Sequence, residues 1–109
     1  MTDVVRAYYR TIDDGAYDEL ASLLEPTFTH QRPDRTIEGR ETFLAFMRDE
    51  RPETTTSHAI DSVFHEDDIA VQGRLLREDG TLWFGFVDIF TMNGNTIGRL
   101  RTYTSQHAQ

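Results

Sequence analysis

The spacing of apolar residues changes near the middle of the chain. Up to residue 51 the apolar residues recur mainly at intervals of three and four, and after Pro52 they recur mainly at every second position. The first spacing is typical of a helix with one buried face, and the second of a strand with one buried face. The pattern therefore predicts helices in the first half of the chain, followed by a sheet.

Three helices are predicted in the first half. Thr2 or Asp3 caps the first helix, which ends at Asp14-Gly15. Pro26 stops the second helix and Pro52 the third, because proline has no amide proton for the helical hydrogen bond. The apolar faces consist of Val4, Val5, Tyr8, Tyr9 and Ile12 in the first helix, Leu20, Leu23 and Leu24 in the second, and Phe43, Leu44, Phe46 and Met47 in the third.

Five strands are predicted, at residues 27–31, 54–65, 69–77, 81–92 and 96–106. The last four are joined by short turns, of which Asn93-Gly94 is a strong hairpin signal. Strands joined in this way form an antiparallel meander, whose one buried face the helices can cover. We therefore predict a single α+β domain over residues 1–109, with a cone-shaped, curled antiparallel sheet and three helices that enclose one pocket.

Composition narrows the classes of partner. The chain has no cysteine, so disulfides and cysteine-ligated metals are excluded. It has no apolar run long enough for a membrane span and no signal-peptide pattern at its start, so we expect a cytoplasmic protein. The formal net charge is −8, which disfavours nucleic acids and anionic membranes as partners.

All eleven basic residues are arginine, and lysine is absent. Together with the acidic excess, this composition resembles that of proteins from salt-saturated cytoplasm; the alternative is an ordinary solvated acidic surface. If the protein is halophilic, its melting temperature should rise between dilute buffer and multimolar potassium chloride, because salt screens the repulsion among carboxylates. Thermal melts at the two salt concentrations test this expectation, and a melting temperature independent of salt contradicts it.

Several motifs, in their order along the chain, resemble the nuclear transport factor 2-like superfamily, in particular its SnoaL-like polyketide cyclase and ketosteroid isomerase branches. They are YYRTIDDG at residues 8–15, LLEPTF at 23–28, IEGRE at 37–41 with Phe43 and Phe46, FVDIF at 86–90 with NGNTI at 93–97, and LRTY at 100–103. The resemblance implies a cone-shaped α+β fold that often forms homodimers through its outer sheet face. It does not imply a reaction, because this fold carries both enzymes and non-enzymes.

Asp88 interrupts a strand face that also carries Phe84, Phe86 and Phe90. Burial of a carboxylate among phenyl rings removes hydration and raises its pKa. The resemblance places Asp88 where ketosteroid isomerases have an aspartic acid that donates a hydrogen bond to an oxyanion. We predict that Asp88 faces the pocket and that the three phenylalanines contact the ligand; the alternative is an aspartate at the strand edge, paired with an arginine.

Tyr8, His30 and Arg32 are the other candidate site residues. Tyr8, counted back from Gly15, resembles the oxyanion-hole tyrosine of the isomerases, although it also falls on the apolar stripe of the first helix. Arg32 stands where the resemblance expects the general base, and arginine cannot accept a proton at neutral pH. His30, on the same strand face, can act as the base or be structural. Arg32 can bind a carboxylate or an enolate.

The end of the last strand and the spacing of the histidines argue against the reactions of the cyclase and epoxide-hydrolase branches and against a metal site. The cyclase and epoxide-hydrolase branches have a catalytic aspartate after the aromatic residue of the last strand, whereas Tyr103 is followed by Thr104 and Ser105. His58 and His65 lack metal-ligand spacing, and we expect neither a metal nor a cofactor.

Alternation along the aromatic strand places Trp83, Val87 and Ile89 opposite Asp88. Because an apolar strip on the outer sheet face is a typical contact between subunits, we predict a homodimer through this face.

Three functional hypotheses follow. The first is a SnoaL-like pocket protein that binds a small apolar carbonyl or carboxylate compound, with Arg32 as the anchor. The second is a cofactor-free isomerase, cyclase or hydratase, in which Asp88 and Tyr8 stabilise an oxyanion and His30 is the base. The third is a non-catalytic dimerisation module.

Overall fold

The order of elements is that of an α+β fold with its helices in the first half. A computed structural model describes residues 2–51 and 53–105. The helices are α1 (Thr2–Asp14), α2 (Tyr17–Leu23) and α3 (Arg40–Ala45), and α3 continues into a π-helical turn at Phe46–Glu50. The strands are β1 (Leu24–Gln31), β2 (Thr36–Glu38), β3 (Ser57–His65), β4 (Ile69–Leu76), β5 (Leu82–Asn93) and β6 (Thr96–Thr104). The predicted fold class is confirmed. The predicted boundaries at Pro52 and Gln106 lie outside the described residues.

The six strands form one sheet in the order β2-β1-β6-β5-β4-β3. Strands β3 to β6 are the predicted antiparallel meander. The sheet as a whole is mixed, however, because β1 pairs in parallel with β6. A parallel pair requires a long connection, and here the chain between β1 and β6 contains α3 and four strands. Strand β2, which the sequence analysis read as a polar connection, pairs with β1 through His30 and Ile37.

The curvature of the sheet has a local cause. The pairing register shifts between Ile60 and Ser62 on β3, between Leu75 and Leu76 on β4, and between Thr91 and Met92 on β5. Such bulges insert an unpaired residue, bend the strand and increase its twist. The sheet therefore curls, and its concave face buries Val71, Phe86, Asp88 and Phe90.

Helix α1 contributes Val5, Tyr8, Tyr9 and Ile12 to the same core. It ends as predicted, with Gly15 at φ 68°. The amides of Gly15 and Ala16 donate to the carbonyls of Ile12 and Thr11, which is the Schellman arrangement. None of the helices in the described part of the chain has the length and hydropathy needed to cross a membrane.

The outer face of β5 differs in one residue from the prediction. Val87 is 38% exposed on this face, and Ile89 is partly exposed. Trp83, which was predicted to lie beside them, instead lines the internal cavity. The reason is the bulge opposite Leu75 and Leu76, because the extra residue there interrupts the alternation of β5. The homodimer through this face stays a prediction.

Candidate functional site

A cavity of about 150 Å³ lies between α1, the π-helical turn and the concave face of the sheet. Its apolar wall consists of Ile12, Phe46, Met47, Leu75, Trp83, Phe84 and Phe86. Its polar wall includes Tyr8, His30, Arg32, Arg51, His58, Asp88 and Thr102. A cavity of this size with largely apolar walls can hold a molecule as large as a single ring.

Asp88 is buried, with 6% of its surface exposed, and both of its carboxylate oxygens accept hydrogen bonds. The Tyr9 hydroxyl donates to Oδ2 at 2.7 Å, and the Thr102 hydroxyl donates to Oδ1 at 2.6 Å. Burial raises the pKa of Asp88, and the two hydrogen bonds partly offset this effect by stabilising the carboxylate. Asp88 therefore lies in the cavity wall, bound by two hydroxyl groups that α1 and β6 supply.

His30 belongs to the same network. Its Nε2 lies 2.8 Å from Oγ1 of Thr102. Because the single hydroxyl proton of Thr102 is donated to Oδ1 of Asp88, Nε2 of His30 must carry a proton and donate it to Thr102. Within residues 2–51 and 53–105, Nδ1 has no hydrogen-bond partner. Burial, together with the charge of Arg32, lowers the pKa of His30 to about 3, so the imidazole is neutral at physiological pH.

Arg32 does not pair with Asp88. Its Nε lies 3.3 Å from Oδ1 of Asp34, and its guanidinium lies 4.9 Å from the ring centre of Phe46. These contacts place the guanidinium at a wall of the cavity formed by the π-helical turn and the end of β1. Desolvation therefore dominates the environment of Asp88, and the alternative of an Asp88–Arg32 ion pair is not what the structure shows.

The two consecutive tyrosines of α1 have different surroundings. It is Tyr9, not Tyr8, that donates to Asp88. Tyr8 lines the cavity with 3% of its surface exposed, and its hydroxyl makes no hydrogen bond within the described part of the chain. Burial raises the pKa of Tyr8 further above 10, so its hydroxyl stays a hydrogen-bond donor. Sequence reasoning missed Tyr9 as a partner of Asp88, although Tyr9 shares the apolar stripe of α1.

The three phenylalanines predicted to contact the ligand divide into two groups. Phe84 and Phe86 line the cavity. Phe90 is fully buried and packs edge-to-face against the rings of Tyr8 and Tyr9, at centroid distances of 5.3 and 5.8 Å. Phe90 is therefore not among the residues that line the cavity, because the tyrosines of α1 cover the concave face at this end of β5, and its contact with a ligand stays a prediction.

A second histidine, which the sequence analysis set aside, also lines the cavity. Nδ1 of His58 lies 2.6 Å from Oδ1 of Asp13, and the backbone amide of His58 donates to Oδ2 of Asp13 at 3.0 Å. The imidazole packs against the rings of both Tyr9 and Phe86, with centroids 5.0 and 5.7 Å away. No sequence signal connects the two residues, because they lie 45 positions apart on a helix and a strand.

Among residues 2–51 and 53–105, no cluster of three or more histidine, cysteine, aspartate or glutamate side chains has an arrangement that could hold a metal ion. The acid–base groups that line the cavity are Tyr8, His30, Glu53, His58 and Asp88, together with Arg32 and Arg51.

Comparison with solved structures identifies the fold. An NTF2-like protein of unknown function from Cytophaga hutchinsonii has a TM-score of 0.81 at 16% identity, over 95% of this chain and 88% of that chain. A candidate ketosteroid isomerase from Kribbella flavida has a TM-score of 0.81 at 19% identity, over 98% and 78%. A candidate polyketide cyclase from Sinorhizobium meliloti has a TM-score of 0.80 at 16% identity, over 93% and 94%. At these identities the likeness shows the fold.

The family is shown by the sequence itself. No match is found among curated proteins. A model of the SnoaL-like domain, however, matches residues 5–100. The superfamily resemblance that the motifs indicated is thereby confirmed, and the chain belongs to the SnoaL-like domain family of the nuclear transport factor 2-like superfamily.

Proposed function

We propose that this protein binds a small, largely apolar carbonyl compound in the cavity between α1 and the sheet. The observation that carries the proposal is the hydroxyl of Tyr8, a protonated donor in a mainly apolar wall that makes no hydrogen bond within the described residues. A ligand carbonyl oxygen in the cavity would accept a hydrogen bond from this hydroxyl. The remaining contacts would be apolar, against Phe46, Phe84 and Phe86.

The charges of the site favour a neutral carbonyl group over a carboxylate in the interior. Asp88 lies in the cavity wall, and a ligand carboxylate placed beside it would lose its hydration in the same apolar surroundings that raise the pKa of Asp88. A ligand carboxylate would instead be placed against Arg32, whose guanidinium is shared with Asp34 and Phe46. The proposed ligand class is therefore a ring-sized ketone or aldehyde, and any acidic group that it carries would contact Arg32.

A second candidate function is cofactor-free catalysis on the same compound, as an isomerase, cyclase or hydratase. The observation that favours it is the set of acid–base groups around an apolar cavity, with the pKa of Asp88 raised and that of His30 lowered. As a base, His30 would be weak, since its pKa lies near 3 and its Nε2 donates to Thr102. Asp88 would serve better as a proton store than as an oxyanion donor, because both of its oxygens accept hydrogen bonds.

Binding of cyclohexanone tests the role of Tyr8. We expect Tyr8→Phe to weaken cyclohexanone binding by about tenfold, because one hydrogen bond is lost, and to leave binding of cyclohexane unchanged. Titrations followed by NMR measure both affinities. Tyr103→Phe is the matched control, because Tyr103 is 53% exposed on the last strand. This variant should bind both ligands as the wild type does. Absence of ketone binding by the wild type, or equal ketone affinity in Tyr8→Phe, would overturn the proposal.

A further inference from the structure

Asp13 and His58 have the geometry of an oriented general base. The carboxylate of Asp13 contacts His58 twice, at the ring nitrogen Nδ1 and at the backbone amide. Since a carboxylate can only accept, Nδ1 carries a proton in this contact. In the tautomer that has its one proton on Nδ1, Nε2 has a free lone pair, and the double contact holds the ring in one orientation.

The positions of Asp13 and His58 favour the cavity side of the ring for the free nitrogen. The two nitrogens of an imidazole point in diverging directions, and Asp13 lies behind Nδ1, outside the cavity wall, whereas His58 belongs to the wall. Nε2 makes no hydrogen bond to any of the residues that the structure describes. The packing of the ring against Tyr9 and Phe86 keeps it beside the apolar part of the cavity.

The position of Asp13 is unfavourable for the helix taken alone. It lies in the last turn of α1, where no basic residue is present and the helix dipole disfavours negative charge. The contact with His58 compensates for this by giving the carboxylate two hydrogen-bond donors.

We propose that Asp13 and His58 are an acid–base dyad, in which Nε2 of His58 removes a proton from the carbon next to the carbonyl group of a bound ketone. The proposal rests on the proposed function for its ligand class. In the step, the lone pair of Nε2 forms the N–H bond, the electron pair of the broken C–H bond becomes a C=C bond, and the carbonyl π electrons move to oxygen. Tyr8 donates a hydrogen bond to the resulting enolate oxygen, and Asp13 stabilises the imidazolium.

The proton on Nε2 then returns to carbon. Return to the same carbon exchanges hydrogen isotopes, and return to a more distant carbon of a conjugated ketone moves a double bond. Both outcomes balance without an oxidant, a reductant or a cofactor. His58 is the catalytic residue in this scheme, and Asp13 is a positioning residue that acts through it.

Exchange of the α hydrogens of cyclohexanone in D₂O, followed by proton NMR, tests the dyad. We expect the wild type to accelerate deuteration over buffer, and His58→Gln and Asp13→Asn to reduce the acceleration at least about 100-fold, the usual contribution of a general base. The affinity for cyclohexanone should change much less than the exchange rate in both variants. His65→Gln is the matched control, because His65 lies on the same strand and is exposed, and it should exchange at the wild-type rate. Wild-type exchange by His58→Gln, or binding of the ketone without acceleration, would overturn the dyad.

The nitrogen chemical shifts of His58 show which tautomer the imidazole adopts, and they test the dyad independently of any ligand. We expect the wild type to show the proton on Nδ1 and a free lone pair on Nε2, and Asp13→Asn to move the proton to Nε2, because an amide can donate to Nδ1. A proton on Nε2 in the wild type would overturn the dyad. If cyclohexanone does not bind, the proposed function fails, and these shifts alone then support or reject the dyad.

Discussion

We expect the Gly73→Ala variant to be less stable than the wild type by about 2–3 kcal/mol, the usual cost of forcing an extra methyl group into a packed core. A Cβ atom at this position would lie 2.6 Å from the carbonyl oxygen of Ala59 and 2.8 Å from the ring of Phe86. The carbonyl belongs to the backbone of β3, which is paired with β4, so it cannot move without disturbing the pairing. Phe86 lies opposite Gly73 in the register and would have to shift, most directly into the cavity.

Urea denaturation measures the loss of stability, and cyclohexanone titration measures the effect of the displaced ring on the cavity. Gly85→Ala is the matched control. It also lies in the sheet, but the nearest atom to its added Cβ is 3.4 Å away, on the side chain of Ser105. We expect this control to differ from the wild type by less than about 0.5 kcal/mol. Equal stabilities of the two alanine variants would show that the packing of Phe86 does not require the absence of a side chain at position 73, and would contradict this prediction.

The second large effect concerns pH. In the folded protein the pKa of His30 is about 3, against an ordinary value of 6.5, so below pH 6.5 the unfolded chain takes up a proton that the folded chain does not. This contribution to stability is fully present above pH 6.5 and is lost as the pH falls towards 3. At about 1.4 kcal/mol for each tenfold difference in proton affinity, it amounts to about 3 kcal/mol between pH 7 and pH 4.

His30→Gln removes this titration and keeps a polar side chain of similar length. The free energy of unfolding of His30→Gln should therefore fall less between pH 7 and pH 4 than that of the wild type, by about 3 kcal/mol. The titration of Asp88 has the opposite effect on stability, because its raised pKa favours the folded state at low pH. Asp88 is present in both the wild type and His30→Gln, so its contribution cancels when the two pH profiles are subtracted. The exposed His65→Gln variant is the control and should follow the wild type. Parallel pH profiles of wild type and His30→Gln would contradict the assignment of His30 as a buried neutral imidazole.

Much of the fold was open to prediction because its signals are local. The change from helical spacing to alternation depends only on which face of each element is buried, and it located all three helices and the four long strands. Gly15 and Gly94 marked an end and a turn, since their positive φ values of 68° and 63° favour glycine. Alternation also placed Asp88, Phe84 and Phe86 on the concave face, because their periodicity survives the bulges that curve the sheet.

Which side chains form hydrogen bonds with each other, in contrast, was decided by the tertiary structure. The contact of Asp88 with Tyr9 spans 79 positions, and that of His58 with Asp13 spans 45. Consecutive residues on a helix are only about 100° apart, so sequence spacing could not tell which of Tyr8 and Tyr9 meets the carboxylate. A single bulge moved Trp83 from the outer face to the cavity. The sequence by itself determined which elements form and which faces they bury. Only the packing of α1 against the curled sheet decided which polar groups are paired, and which remain free to meet a ligand.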